Sequence, residues 1–103
     1  MRCGTTKLTV FDLLGDPWIL AILHALRLGE TRFTDLQRAL EVNPITLSNR
    51  LKTLEENQLL VRMAGSVNKQ AVSYRLTDLG CATFPVLDAL NAFGSQLAPR
   101  LER

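Results

Sequence analysis

Asn49 and Arg50 stand side by side in a segment, Pro44 to about Gln58, whose leucines return every three or four residues. Asparagine and arginine can form paired hydrogen bonds with the edges of adenine and guanine. The helical period sorts the segment into two faces. Leu47, Leu51, Leu54 and Gln58 share one, which the leucines would fix to a core. The other carries Ile45, Ser48, Asn49 and Lys52, flanked by Thr46 and Thr53, with Arg50 towards an edge. Its side chains are mostly short and polar, and none is acidic. A helix with such a face can approach base edges closely, so the chemistry it offers is recognition. Thr46, Ser48, Asn49, Arg50, Lys52 and Thr53 are the candidate DNA contacts on this helix. Arg50 has a plainer alternative, covering the core edge with its stem. Ile45 either touches a thymine methyl or is merely exposed.

The surrounding elements must position that face. Phe33–Leu40 reads as a first helix, with Thr34 and Gln37 at the spacing of a capping box that starts it at Thr34. Glu41-Val42-Asn43 is a turn, and Asn43-Pro44 supplies an N-cap followed by proline. Leu59–Ala64 and Ala71–Leu76 read as two strands, the second alternating Val72, Tyr74 and Leu76 with Ala71, Ser73 and Arg75. Residues 65–70 between them form a polar tip too long for a two-residue turn, with Lys69 its one charge. The order predicts a helix-turn-helix followed by a wing, an arrangement that lays its second helix in a DNA major groove. Arg32, Arg62 and Lys69, with Lys52, suit phosphate contacts, which position without reading sequence. Asn68 belongs to the same tip. Thr34 and Gln37 would present backbone amides of their helix to a phosphate.

Elsewhere, Leu8–Leu14 suits a short helix stopped by Gly15. Asp16-Pro17 opens a helix from Trp18 to Leu28, apolar almost all round and therefore central, which Gly29 ends. Trp18 is an anchor for core or dimer, or the wall of a small-molecule pocket between subunits. Thr77-Asp78 opens a last helix to about Leu97, which Pro85 should kink or split near residues 82–84. Beyond it, Val86, Leu90, Phe93 and Leu97 fall at spacings of four, three and four, the pattern of a helix-pairing seam.

The 103 residues fit one domain, and 47% are apolar, a surplus that points to a partner surface, a second copy of the chain. Net charge is only +2, but residues 43–54 and 57–77 carry bases and no acid. No apolar run is long enough for a membrane span and no signal peptide is apparent, so the cytoplasm is the expected compartment. Cys3 and Cys81 are expected to be free thiols rather than a bridge or a zinc site. The sole histidine, His24, lacks partners for a triad. These absences argue against an enzyme, and no cofactor or metal is expected.

Five blocks in order resemble the HxlR-type winged helix-turn-helix family of bacterial transcriptional regulators. They are Trp18–Leu23, Arg32–Leu40, Leu47–Glu55, Ser73–Gly80 and Pro85–Leu90, and the likeness covers about Leu13 to Phe93. The resemblance implies a mainly α fold with a small β-hairpin, and a homodimer that pairs through its N- and C-terminal helices. On this chain those would engage Phe11, Trp18, Val86, Leu90, Phe93 and Leu97. It further implies double-stranded DNA, with a palindromic operator, as partner. Some members sense oxidants or electrophiles through an N-terminal cysteine, which makes Cys3 the candidate redox sensor and a redox or small-molecule inducer a candidate partner. The chain departs from the pattern at Gly15-Asp16-Pro17 (usually Gly-Gly-Lys), at Ile45 (commonly Lys) and at Val67–Ala71 (often with prolines and an arginine). The last two remove basic groups from the expected DNA face.

The resulting expectation is a single domain, 1–103, with a flexible end (1–6), a helix-turn-helix (34–58), a wing (59–76) and a C-terminal dimerisation helix (78–98). Its function would be sequence-specific regulation of transcription as a homodimeric repressor. The alternative is the same fold used as a protein-docking module without specific DNA binding.

Overall fold

A computed structural model describes residues 9–64 and 72–101. The elements run α1 (Val10–Leu14), α2 (Pro17–Leu26), β1 (Thr31–Arg32), α3 (Phe33–Leu40), α4 (Pro44–Glu56), β2 (Leu60–Met63), β3 (Ser73–Leu76), α5 (Asp78–Cys81) and α6 (Phe84–Leu101).

The core gathers around α2. Its Ile19, Ile22, Leu23 and Leu26 pack with Leu36 of α3, Leu47, Leu51 and Leu54 of α4, Leu60, Tyr74 and Leu76 of the strands, and Leu87 of α6. The nearly continuous apolar character of α2 thus has the expected cause, central placement. Asp16 caps it, accepting hydrogen bonds from Trp18 N–H and Ile19 N–H. At the other end, α2 stops at Leu26, short of the expected Leu28, and Leu28 lies exposed. α1 owes its start to a capping box between Thr9 and Asp12 that the sequence reading did not pick out.

The sheet and the start of α3 also depart from expectation. The hairpin is part of a three-stranded antiparallel sheet in the order β1-β3-β2, with Thr31 opposite Tyr74, and Leu60 opposite Leu76. β1 covers the outer edge of β3, which explains why Ser73 is buried although it alternates with core residues; its hydroxyl bonds the Glu30 carboxylate. The capping box at Thr34 does not form. Phe33 N–H donates to the Val72 carbonyl at 3.0 Å, so the sheet fixes the chain up to Arg32 and α3 starts at Phe33, with no side-chain cap. Thr34 is thereby already inside the first turn.

α4 ends at Glu56, so Gln58 lies beyond it. Leu59 N–H reaches back to the Leu54 carbonyl (2.9 Å) and Gln58 N–H to that of Glu55 (3.0 Å), while Gln58 takes φ 63°. This is a Schellman ending with glutamine where glycine is usual.

The last helix is split, as Pro85 leads one to expect. α5 stops at Cys81, the Thr83 hydroxyl bonds the Gly80 carbonyl (2.6 Å), and α6 resumes at Phe84 with Pro85 in its first turn, where a missing N–H costs nothing. α6 runs on to Leu101, past the expected end, and through Pro99. Gly80 lies buried where α5 meets the chain leaving α4; a Cβ there would collide with the Leu59 carbonyl oxygen.

Candidate nucleic-acid interface

Local chemistry and tertiary packing set α4 together. The Asn43 side-chain oxygen accepts Ile45 N–H at 2.7 Å and Thr46 N–H at 3.4 Å, which fixes where the helix begins. Leu47, Leu51 and Leu54 are at most 1% exposed and hold one side to the core. Ile45, Ser48, Asn49 and Lys52 are exposed on the side away from it. Thr46 and Thr53 are half-buried flanks, and the Thr53 hydroxyl donates to the Asn49 carbonyl (3.1 Å).

Arg50 departs from the expected pairing with Asn49. Consecutive residues on a helix point about 100° apart, and Arg50 lies on the side facing α2. Its Nε–H donates to Asp16 Oδ2 at 2.9 Å, in a partly buried ion pair. Nε of the guanidinium is thus engaged within the protomer, at the helix edge where the sequence placed Arg50.

The remaining candidates lie on other elements. Arg32 precedes α3 and pairs with Asp35 (3.2 Å), as does Arg38 (3.2 Å). Thr34, Gln37 and Arg38 line, with Glu41 and Val42, an open depression of about 610 Å³ on the helix-turn-helix. Arg38 was not singled out from sequence. Its spacing four residues after Thr34, on the same helix face, was the available signal. Arg62 is exposed on β2 opposite Tyr74. Burial pushes the Tyr74 hydroxyl pKa above its ordinary value, opposed by a hydrogen bond from Arg62 and by its charge, while the charge of Glu55 adds to the rise. Asn68, Lys69 and Cys3 lie outside the described residues.

A second exposed surface has the opposite composition. Phe11 (85% exposed), Val86, Leu90 and Phe93 are open to solvent on α1 and α6. Val10, Phe11, Leu14, Leu20, Val86 and Leu90 line an apolar groove of about 450 Å³ between α1, α2 and α6. Leu97 is half-buried, and Trp18, also half-buried, packs against the core without lining this groove. Arg27, at the end of α2, holds α6: it pairs with Asp88 at 2.8 Å and its guanidinium lies 4.4 Å from the centre of the Phe84 ring. Among the described residues no group of His, Cys, Asp and Glu could hold a metal ion, and no helix is long and apolar enough to cross a membrane.

Comparison with known proteins agrees with this architecture. Residues 13–102 match the family model described as HxlR-like helix-turn-helix. An uncharacterised HTH-type transcriptional regulator of Mycobacterium bovis is 36% identical over 91 residues, 88% of this chain and 58% of the relative. The chain thus spans little more than half the length of that protein. The HTH-type transcriptional regulator YodB of Bacillus subtilis is 32% identical over 89 residues, 85% of this chain and 80% of YodB. The solved reduced form of YodB superposes with a TM-score of 0.76 at 31% identity, covering 93% of this chain and 94% of that one. The solved structure of ytfH from Salmonella typhimurium superposes with a TM-score of 0.79 at 32% identity, covering 89% of this chain and 83% of that one. On both sequence and fold, the chain belongs to the HxlR-like helix-turn-helix family of transcriptional regulators.

Proposed function

We propose that this chain is a sequence-specific double-stranded DNA-binding regulator that acts as a homodimer and represses transcription. The observation that carries the reading is the division of α4: three leucines closed into the core, and Ser48, Asn49 and Lys52 exposed on the other side. That side enters the major groove, with Asn49 as the leading base reader, joined by Thr46, Ser48 and Thr53. Ile45 gives it an apolar contact suited to a thymine methyl. Lys52, Arg32 and Arg62 bind phosphates, together with the wing residues Asn68 and Lys69. Thr34 lies in the first turn of α3, whose backbone amides suit the sugar-phosphate backbone, and the Gln37 side chain lines the same depression.

Two copies pair through the apolar surfaces of α1 and α6, and the two-fold axis makes the operator a palindrome with half-sites about 34–36 Å apart. An inducer, redox or small-molecule, completes the reading. YodB has been solved in reduced and in quinone-bound forms, and this chain resembles both at 31–32% identity. Cys3 is the candidate thiol.

Selection of duplexes from a random library by the purified protein tests the whole reading. An inverted repeat with half-sites one helical turn apart is expected to enrich. Salt-sensitive binding with no enriched sequence would overturn sequence-specific recognition. No DNA binding at low salt would favour the protein-docking alternative, to which the exposed Ile45 in place of a lysine lends some weight.

A further inference from the structure

The Asp16 carboxylate serves two elements at once. Oδ1 accepts Trp18 N–H at 2.8 Å and Ile19 N–H at 3.1 Å, capping α2. Oδ2 accepts Nε–H of Arg50, on α4, at 2.9 Å. The side chains are 26% and 34% exposed, so the pair is less screened than one on the open surface. It lies in a cleft of about 220 Å³ that Asp12 also lines. Asp12 is engaged elsewhere, accepting Thr9 N–H at the start of α1.

The leucines of α4 and this pair constrain different motions. A strip of leucines resists lifting the helix from the core, but apolar contact is non-directional and tolerates a roll about the helix axis. An ionised hydrogen bond is directional. Arg50 sits beside the leucine strip, and Asn49, the preceding residue, projects about 100° away from it. Fixing Arg50 therefore fixes the bearing of Asn49.

We propose that Asp16 and Arg50 form a positioning pair. It sets the roll of α4 against α2, and Arg50 acts on base recognition by aiming Asn49 rather than by touching DNA. The inference rests on the reading of α4 as the recognition helix.

Two variants separate the roles. Asp16→Asn keeps an oxygen to cap α2, since asparagine caps as well as aspartate, but turns an NH2 donor towards the Arg50 Nε–H. Arg50→Gln removes the guanidinium from the other side. Affinities are measured for the selected duplex and for a random duplex across a salt series. Each single variant is expected to lower the ratio of specific to random affinity about fivefold, with the double variant no worse than either. Random-duplex affinity and the salt slope stay as in wild type.

The pair's role is overturned if Asp16→Asn leaves the ratio unchanged, or raises it by freeing Arg50 to reach DNA. It is overturned equally if the two losses add, or if Arg50→Gln shallows the salt slope by about one, as loss of a phosphate contact would. An independent readout needs no DNA. The Arg50 Nε–H resonance of the free protein is expected to exchange slowly in wild type and fast in Asp16→Asn, and fast exchange in both overturns the bond itself. A wild type that binds both duplexes alike refutes α4 as the reading helix, and the pair's role in recognition with it. A wild type that discriminates beside an Asp16→Asn that discriminates as well refutes the pair alone.

Discussion

α4 and α6 both expose one long side, yet they are attached to the molecule in opposite ways. α4 is anchored by Leu47, Leu51 and Leu54, capped by Asn43 and tied at its edge by Arg50. α6, the longer helix, buries only Leu87, and Arg27 supplies its ion pair and its contact with the Phe84 ring. The exposed residues differ as well: Ser48, Asn49 and Lys52 beside Ile45 on α4, and Val86, Leu90 and Phe93 among polar neighbours on α6. A rigidly mounted polar face suits a surface that must meet its partner in one register. A lightly mounted apolar helix leaves contact area that only a further surface can cover.

Truncation of an α4 anchor is the most severe test of that contrast. Leu51→Ala should destabilise the fold by about 2–5 kcal/mol in urea titration, at every protein concentration. A loss below about 1 kcal/mol would mean α4 is not anchored as described. Truncation on α6 should act on assembly instead. Phe93→Ala is expected to weaken self-association by about 2 kcal/mol or more, read by sedimentation-equilibrium or light-scattering titration, with the helical circular dichroism spectrum retained. Unchanged association would remove Phe93 from the interface. For the polar face, Asn49→Ala should cost about 1–3 kcal/mol in binding the selected duplex, with thermal unfolding unaltered. Equal affinity in a gel-shift titration would move the reading face off Asn49.

The smallest expected effect concerns how α4 stops. Gln58 sits at φ 63°, a conformation that suits glycine better than any branched or long side chain. Gln58→Gly should raise stability by about 0.5–1 kcal/mol in the same urea titration. A loss instead would show that the glutamine side chain contributes contacts that outweigh its backbone strain.

These elements also differ in how legible they were. The start of α4 is local chemistry, since Asn43 caps amides two and three residues along, and both residue types can be read directly from sequence. Its core face follows from leucine spacing. The division of the last helix follows from Pro85 alone. β1 was not legible, because two residues carry no periodicity and become a strand only through the partner β3. The Thr34 capping pattern misled for a related reason: pairing of Phe33 with Val72 fixes the backbone before the side chain can cap it. Arg50 exposes the limit most clearly. Its position on the wheel marks an edge residue, but the acid that engages it lies 34 residues away, at a helix start whose capping role already accounts for it.

Position 80 carries a consequence of its own. There the α5 backbone comes so near the Leu59 carbonyl that hydrogen is the largest substituent that fits. Even alanine would wedge α5 away from the chain that leaves α4. In a saturation library this codon should therefore be a nearly empty column, while the exposed neighbouring codon for Cys81 drifts freely.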